Sequence, residues 1–229
     1  NFIKGLGCKK SKTSKVCKNV KHEFNTSNIN EIVHPEYDYV RAYSEGLTLV
    51  KVNGKYGCVN NKGKEVISLK YDFVWDFSEG IALVKLNGKH GYINKRGRVI
   101  TSLKYENAWA FFEGLAKVKL NGKLGYINTA GKEVIPLKFD DVKNVSDGLL
   151  LVELNGKHGY INKDGIEVTP LKYDNAEDFS DGLAWVELNR KVGFINAMGE
   201  EVIPLKYDYV WGFSEGLALV ESNGKYGYI

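Results

Sequence analysis

The chain has 229 residues, of which 32 are Lys or Arg, 28 are Asp or Glu and 43% are hydrophobic, so it is long and apolar enough to form an all-β domain with its own core. Residues 1–30 contain seven Lys and one Glu, which leaves the rest of the chain with a small net negative charge. A folded part without excess basic charge argues against nucleic-acid binding, and the lack of a long apolar run argues against a signal peptide or a transmembrane helix.

The first 30 residues are rich in Lys, Ser and Asn and predict a peripheral N-terminal arm. Cys8 and Cys17 lie nine residues apart in this arm. They form either a small disulfide loop, which favours an exported or cell-envelope protein, or two free thiols. Because the chain starts at Asn1 and not at Met, we expect it to be processed or to be a fragment.

A 34-residue pattern follows the arm and returns without insertion or deletion. Its core is best seen in residues 80–94, GIALVKLNGKHGYIN. A fixed period of this length indicates one small unit repeated along the chain, forming a single domain over residues 31–229. The predicted boundaries are a closing strand at 31–36 and repeats at 37–70, 71–104, 105–138, 139–172, 173–206 and 207–229.

Each unit predicts β-strands joined by tight turns. One position is Val in every copy and alternates with small or apolar residues, which is typical of a strand: Val50, Val84, Val118, Val152, Val186 and Val220. An Asn-Gly pair follows in five copies and predicts a type I′ hairpin turn. The return strand carries an aromatic position, and we expect Tyr126 and Tyr160 there to be buried by neighbouring copies. An N-x-x-G turn, a third strand such as Glu201 to Leu205 and a fourth alternating segment, Tyr207 to Phe213, complete the unit, with essentially no helix.

The two ends of the repeat array complement each other. Glu31 to Glu36 matches the third-strand segment, and the chain stops at Ile229, directly after the second strand of the sixth copy. This favours a closed six-bladed β-propeller-like ring in which the first segment completes the last sheet and leaves no open edge. The alternative is an open β-solenoid or superhelix of stacked hairpins, since propeller blades usually have about 40 to 45 residues.

The repeat also resembles a known family. The pattern F-S-E-G-L-A-x-V-x-x-N-G-K-x-G-Y-I-N-x-x-G-x-E-V-I-P-L-K-Y-D, seen at Phe179 to Asp208 and at Phe77 to Glu106, is similar to the bacterial WG-repeat family over residues 31–229. The resemblance implies a tandem β-repeat that acts as a binding or structural module, with no catalytic residue. This chain departs from the family at the Trp before the Gly of the second strand, where it has Tyr56, His90, Leu124, His158, Val192 and Tyr226.

Positions shared by all copies are expected to serve the common geometry. The acidic residue before the first Gly either forms a row able to attract a cation or accepts backbone N–H groups in its own turn. The Lys after each hairpin is expected to be solvated, and the Asp after the repeat Tyr to cap a turn or a sheet end. Cys58 replaces a repeat Tyr and predicts a buried, unreactive thiol. The acidic row is Glu45, Glu79, Glu113, Asp147, Asp181 and Glu215.

Positions that differ between copies are better candidates for a binding site. Five residues into the YD segment the copies carry Arg41, Trp75, Trp109, Lys143, Glu177 and Trp211. Because three copies have a charged residue there, we expect the position to be exposed. Exposed tryptophans are typical anchors of protein interfaces or sugar-stacking sites, although each could instead lie flat against the edge of its own sheet. Trp75, Trp109 and Trp211 are therefore the predicted binding residues.

No enzyme signature accompanies the repeat. His90 and His158 share a repeat position without the spacing of a metal site, and the sequence has no nucleophile-elbow, Walker or Rossmann motif; its glycines are interpreted as turn glycines. We expect no cofactor, metal or catalytic residue. The first hypothesis is a non-enzymatic protein-binding or scaffolding module. The alternatives are a structural subunit of a larger cell-envelope or surface assembly and a carbohydrate- or peptidoglycan-binding module.

Overall fold

A computed structural model describes residues 37–42, 46–214 and 216–229. These residues form 23 β-strands in six antiparallel sheets, five with four strands and one with three, and none of them is helical. In each sheet the strands pair in chain order. The predicted all-β fold of six tandem repeats is confirmed.

Part of the prediction lies outside the described residues. This applies to the arm 1–30, the closing strand 31–36, the pair Cys8 and Cys17, and the acidic residues Glu45 and Glu215. Closure of a ring by residues 31–36 therefore stays a prediction.

The described chain separates into two compact units, which divide between Leu103 and Lys104. The first unit contains sheets 1 and 2, apart from the last two residues of β8. Sheet 1 consists of β1 (Tyr39–Ala42), β2 (Leu47–Val52), β3 (Lys55–Asn60) and β4 (Glu65–Tyr71). Sheet 2 consists of β5 (Phe73–Ser78), β6 (Ile81–Leu86), β7 (Lys89–Asn94) and β8 (Val99–Tyr105).

The second unit contains sheets 3 to 6. Sheet 3 consists of β9 (Asn107–Ala108), β10 (Leu115–Leu120), β11 (Lys123–Asn128) and β12 (Glu133–Phe139). Sheet 4 consists of β13 (Asp141–Val142), β14 (Leu149–Leu154), β15 (Lys157–Asn162) and β16 (Glu167–Tyr173). Sheet 5 consists of β17 (Asn175–Ala176), β18 (Leu183–Leu188), β19 (Lys191–Asn196) and β20 (Glu201–Tyr207). Sheet 6 consists of β21 (Tyr209–Ser214), β22 (Leu217–Ser222) and β23 (Lys225–Tyr228).

Two kinds of two-residue turn join the first three strands of a sheet. Asn87 and Gly88 have φ of 53° and 76°, which is the type I′ geometry predicted from the Asn-Gly pair. Glu79 and Gly80 have φ of 54° and 77°, so the acid-Gly pair forms a second turn of this kind. The fifth hairpin has Asn189 followed by Arg190, which takes a φ of 62° without being Gly.

The alternating segment that was predicted to complete each unit follows the last strand of a sheet and does not pair within that sheet. It forms the first strand of the next sheet, as β5 does by pairing with β6. A single residue separates the two sheets at each crossing: Asp72, Glu106, Asp140, Asp174 and Asp208. Period-2 alternation identified the strand but carried no information about its pairing partner.

Within each unit, neighbouring sheets pack face to face. In the first unit, Leu49 and Cys58 of sheet 1 cluster with Val74 and Val84 of sheet 2. On β6, Leu83 and Val84 point to opposite faces and are only 5% and 1% exposed, as expected for strands covered on both faces. Apolar burial between sheets is the main stabilising contribution to such a fold.

The aromatic position of the return strand is buried in sheets 3 and 4 and half-buried, at Phe194, in sheet 5. Tyr126 is 6% exposed and its hydroxyl donates a 3.1 Å hydrogen bond to the carbonyl oxygen of Lys143 in sheet 4. Tyr160 is fully buried and its hydroxyl donates a 2.5 Å hydrogen bond to the carbonyl oxygen of Glu177 in sheet 5. The predicted burial of both residues is confirmed.

The Gly before that aromatic residue was predicted to be a turn glycine, and this prediction was wrong. It lies within the strand, opposite a bulge: Leu124 pairs with Phe139 but Tyr126 pairs with Ile135, so β12 contains extra residues. A Cβ atom at Gly57 would lie 2.5 Å from the carbonyl oxygen of Ile67, and one at Gly125 would overlap the carbonyl oxygen of Ile135. These glycines lie on the third strand of each sheet and let the bulged fourth strand approach it.

Candidate functional site

The strand register places three side chains side by side in every sheet, close to the Asn-led hairpin. They come from the first, second and third strands, and we call each set a hairpin row. The third member is the residue before the strand Gly, the position at which this chain lacks the Trp of the family it resembles. The rows are Tyr39, Lys51 and Tyr56; Phe73, Lys85 and His90; Asn107, Lys119 and Leu124; Asp141, Glu153 and His158; Asn175, Glu187 and Val192; Tyr209, Glu221 and Tyr226.

The hairpin rows share a backbone position but differ in chemistry. Their middle residue is Lys in sheets 1 to 3 and Glu in sheets 4 to 6. Their outer residues are mostly aromatic in sheets 1, 2 and 6 and mostly polar in sheet 4. A position with common geometry and variable side chains is where a repeat protein can build a specific site.

In the first unit the hairpin rows and Trp75 form a continuous set of rings, which we call the aromatic patch. It runs from Tyr39 to Tyr56, Phe73, Trp75 and His90, with ring centroids 6.4, 5.1, 4.6 and 5.8 Å apart in that order. The exposed fraction is 44% for Tyr39 and 36% for Phe73, whereas Tyr56 and Trp75 are half-buried and His90 is buried.

A lysine covers part of the aromatic patch. Nζ of Lys51 lies 4.8 Å from the ring centroid of Tyr56, within the range of a cation–π interaction. The patch therefore presents both apolar ring surface and positive charge.

The three predicted tryptophans have different surroundings. Trp75 belongs to the aromatic patch of the first unit. Trp109, on sheet 3, is 38% exposed and has Nζ of Lys117 4.7 Å from its ring centroid. Trp211, on sheet 6, is 42% exposed and lies 6.0 Å from Tyr209 and 6.1 Å from Tyr226.

Apart from Trp75, the members of the aromatic patch were not predicted as binding residues from the sequence. Tyr39 and Phe73 directly follow the YD segment's Asp, and the copies carry Tyr, Phe, Asn, Asp, Asn and Tyr at that position. This variation was visible in the sequence. The hairpin register that joins the position to Tyr56 was not.

Sheet 4 carries a polar site where sheet 1 carries the rings of Tyr39 and Tyr56. A cavity of about 190 Å³ is lined by Asp141, Lys143, Leu151, Glu153 and His158 of sheet 4 and by Asn175 and Ala176 of sheet 5. We call it the polar cavity. It lies wholly within the second unit.

Charged groups of the polar cavity act on one another. Nζ of Lys143 lies 2.8 Å from Oδ2 of Asp141, and this hydrogen bond raises the pKa of Lys143. Burial alone would raise the pKa of Asp141, but the hydrogen bond and charge of Lys143 outweigh it and lower that pKa. Desolvation raises the pKa of the neighbouring Asp178, although that residue is exposed overall.

The shared Asp and Lys rows hold the hairpins. Oδ2 of Asp72 accepts a 2.6 Å hydrogen bond from the backbone N–H of Asn87, and Oδ1 lies 2.6 Å from Nζ of Lys55 in the preceding sheet. The hydrogen bond from Lys55 lowers the pKa of Asp72. The predicted cap is confirmed, and Lys55, with 43% of its side chain exposed, contacts solvent as predicted while it also forms this ion pair. The same pairing occurs for Lys123 and Asp140, Lys157 and Asp174, and Lys191 and Asp208.

The acidic turn residues also reach beyond their own turns. Oδ2 of Asp147 accepts a 3.0 Å hydrogen bond from the backbone N–H of Gly182 in the next repeat, not in its own turn as predicted. Glu113 forms an ion pair with Lys163. In these two cases the acidic residue has a structural partner.

Reactive and metal-binding groups are few. Cys58 is fully buried, and burial raises the pKa of its thiol to about 12, so the prediction of a buried thiol is confirmed. Within residues 37–42, 46–214 and 216–229, no three His, Cys, Asp or Glu side chains are grouped to hold a metal ion. The same stretches contain no helix of the length and hydrophobicity needed to cross a membrane.

Several solved structures are similar to this chain at low sequence identity. Hsv2p from Kluyveromyces lactis has 15% identity and a TM-score of 0.36, covering 71% of this chain and 62% of its own. A eukaryotic initiation factor has 11% identity and a TM-score of 0.38, covering 79% and 70%. The extracellular domain of BT4673 from B. thetaiotaomicron has 11% identity and a TM-score of 0.34, covering 82% and 32%. The chain thus spans less than two thirds of the first and third of these structures.

Sequence comparison gives a more specific result. Among curated proteins, none matches the chain. The profile of the WG containing repeat, in contrast, matches six successive stretches: 27–56, 56–89, 91–123, 125–157, 159–191 and 193–226. These stretches cover most of the chain, and each ends at the first or second residue of the strand that follows the Asn-led turn. This protein belongs to the WG-repeat family.

Proposed function

We propose that the protein is a non-enzymatic binding module that docks a protein partner through the aromatic patch. The observation that carries the proposal is the unbroken series of rings from Tyr39 to His90 across two sheets of one compact unit. We assign no reaction to it.

The composition of the aromatic patch supports a protein partner. Interface energy is usually concentrated in a few Trp, Tyr and Arg residues within a patch that loses water on binding. Tyr39, Phe73 and Trp75 offer ring surface that is partly exposed yet fixed by neighbouring rings, so little conformational entropy is lost when a partner covers it. The charge of Lys51 at the edge favours an acidic or polar rim on the partner.

The repeat itself supplies substitutions that test the aromatic patch. Sister copies carry Asn at the position of Phe73 and Lys at the position of Trp75. The double variant Phe73→Asn, Trp75→Lys should therefore fold, yet capture a partner from the source organism about tenfold less efficiently or worse, the effect of losing about 1.4 kcal/mol of binding free energy. Glu177→Lys, at the position of Trp75 in sheet 5, is the matched control and should capture normally.

Quantitative mass spectrometry of the captured proteins, with thermal melts of each bait, measures both effects. Undiminished capture by a folded double variant would contradict the proposal. A direct titration of the captured partner against both variants should then reproduce the loss in affinity.

The predicted tryptophans are tested by a second variant. If all three tryptophans contribute, replacing Trp75, Trp109 and Trp211 by Ser should weaken capture more than the double variant does. If only the aromatic patch binds, this triple variant should weaken capture as much as Trp75→Ser alone. Melting temperatures should stay within a few degrees, since the position accepts Arg, Lys or Glu in sister copies.

Two other functions predict different outcomes. A carbohydrate-binding module should bind in a glycan array and lose that binding in the double variant, because sugars stack on flat ring faces. A structural subunit should assemble with itself or stay in a large native complex, which light scattering after size-exclusion chromatography detects. A captured soluble protein whose binding depends on Phe73 and Trp75 would favour the proposed function over both.

A further inference from the structure

The polar cavity exists because two ring positions of the repeat are occupied by smaller side chains. Between sheets 1 and 2, the rings of Tyr56 and Phe73 lie 5.1 Å apart and fill the space beside the hairpin row. Between sheets 4 and 5 the same positions hold His158 and Asn175, and the cavity lies between them. An engineered cavity of about 150 Å³ in another protein admits benzene, so this volume accommodates a small planar group.

The polar groups around this cavity are incompletely paired. Nδ1 of His158 is buried without a hydrogen-bond partner among the described residues. Oε2 of Glu153 lies 3.7 Å from Nε2 of His158, too far for a strong hydrogen bond. Since buried polar atoms are normally paired, the buried Nδ1 of His158 indicates an occupant that supplies a hydrogen-bond partner, whereas the Glu153 side chain is 35% exposed and also contacts solvent.

The charge around the cavity is negative on balance. Asp141, Glu153 and the neighbouring Asp178 carry three carboxylates, while Lys143 and Lys117 supply two positive charges that act on Asp141. Lys143 is hydrogen-bonded to Asp141 and acts on Glu153 only as a more distant charge, so no described Lys or Arg side chain forms an ion pair with the Glu153 carboxylate. A cationic hydrogen-bond donor would satisfy it.

We propose that the polar cavity binds a guanidinium or alkylammonium group, with Glu153 as its counter-ion. A planar guanidinium suits both the volume and the two oxygens of a carboxylate. The group could belong to a small free cation or to an Arg or Lys side chain of a bound polypeptide. The proposal does not depend on the aromatic patch, because the two sites lie in different units.

Titration of the isotope-labelled, purified protein with methylguanidinium chloride tests the proposal without any partner. Saturable NMR shifts should be centred on the ring of His158 and the backbone N–H of Ala176. Sodium acetate, the anionic control, should give none. Saturable binding of acetate at these signals, or no saturable methylguanidinium shift there, would overturn the proposal, and neither result depends on whether any variant folds.

Variants assign the interaction to Glu153. Glu153→Gln keeps the shape but removes the charge and should weaken methylguanidinium binding at least about tenfold. Glu187→Gln, at the same row position in sheet 5, is the matched control and should leave the affinity within about twofold of the wild type. Equal affinities for Glu153→Gln and the wild type would overturn the assignment.

A filling variant and two peptides complete the test. His158→Tyr with Asn175→Phe restores the residue types of sheets 1 and 2 and should abolish binding; retained binding would overturn the cavity as its site. An acetylated Gly-Arg-Gly amide should bind and its uncharged citrulline counterpart should not, and equal binding of the two would overturn the proposal. Tighter binding of the Arg peptide than of methylguanidinium identifies a polypeptide as the source, and weaker binding identifies a small free cation.

Discussion

At the scale of single residues, the strand glycine explains how each sheet accommodates its fourth strand. Gly57, Gly91, Gly125, Gly159 and Gly193 lie against the backbone of that strand, with no room for a side chain. The sequence shows their spacing but not their reason, because a glycine required for close approach looks the same as one required for a turn. Only the observed register and the bulge separate the two explanations.

Replacement of one such glycine should be costly. Gly125→Ala places a methyl group on the carbonyl oxygen of Ile135, so β12 must move, and we expect a loss of about 1 to 3 kcal/mol in the free energy of unfolding, as for other overpacked sites. Gly212→Ala, on an exposed strand with open space around the glycine, is the control and should change stability by less than about 0.5 kcal/mol. Chemical denaturation measures both, and similar values for the two would contradict the explanation.

The Asp that crosses between sheets gives the fold a dependence on acid. The hydrogen bond from Lys157 and that from the backbone N–H of Asn189 lower the pKa of Asp174. Because the folded pKa is below the unfolded value of about 3.9, this residue stabilises the fold above that value, and the contribution is lost as pH falls through the folded pKa.

Asp174→Asn should therefore melt at a lower temperature than the wild type near neutral pH, and the difference should shrink towards about pH 2. Thermal melts across this range provide the measurement. Asp164→Asn, in an exposed turn, is the control and should follow the wild type throughout. A difference for Asp174→Asn that stays constant with pH would show that the carboxylate charge is not its cause.

At the scale of strands and sheets, local pattern and pairing were unequally predictable. Alternation and the Asn-Gly pair gave the strands and the type I′ hairpins, because both depend on residues close in sequence. The assignment of β5 to sheet 2 depended on pairing across a turn that the acid-Gly pair forms. For its acidic residue the sequence predicted either a row able to attract a cation or acceptance of backbone N–H groups in its own turn, and neither prediction indicated which strands the turn joins. The positive φ of Glu79 and Gly80 shows its role.

The aromatic residue of the return strand holds adjacent sheets together. Tyr126→Ala removes a buried ring between sheets 3 and 4 and should cost about 3 to 5 kcal/mol of stability. Tyr126→Phe removes only the hydroxyl that binds the carbonyl oxygen of Lys143, and should cost about 0.5 to 1.5 kcal/mol. Denaturation curves separate the two effects, and a loss below about 1 kcal/mol for the Ala variant would mean that the ring is not a packing element.

At the scale of the whole molecule, the number of repeats was predictable and the proposed binding surface was only partly so. A fixed period needs no knowledge of tertiary contacts, whereas the aromatic patch combines Tyr56 with Phe73, which come from different copies. Trp75 was identified because three sister copies carry a charged residue at its position, which predicted an exposed ring. The polar cavity was not predicted, because His158 and Asn175 became neighbours only through packing of sheets 4 and 5.

Closure of the repeat array remains a prediction with a direct test. If residues 31–36 complete sheet 6, removal of residues 1–36 should destabilise the protein strongly, whereas removal of residues 1–29 should not, because only the longer deletion exposes a strand edge. Equal melting temperatures for the two truncations would exclude closure by this segment.

A point substitution gives an independent reading of the same question. Gly227 corresponds to Gly57 and Gly125, but no described atom lies within 4 Å of a Cβ placed there. Gly227→Ala should cost as much as Gly125→Ala if residues 31–36 lie beside it as the fourth strand of sheet 6. A neutral effect would show that no strand approaches this glycine.

The single residue between consecutive sheets restricts how a protein of this kind can change in length. Asp140 separates β12 from β13 and also holds the hairpin at Asn155, so one inserted residue would displace the carboxylate and turn the following strand's side chains to the opposite face. Insertion of a complete 34-residue copy preserves both relations. Growth by duplication of whole copies, each adding one more hairpin row of independent composition, is therefore the route by which such a chain would acquire new ligands during evolution.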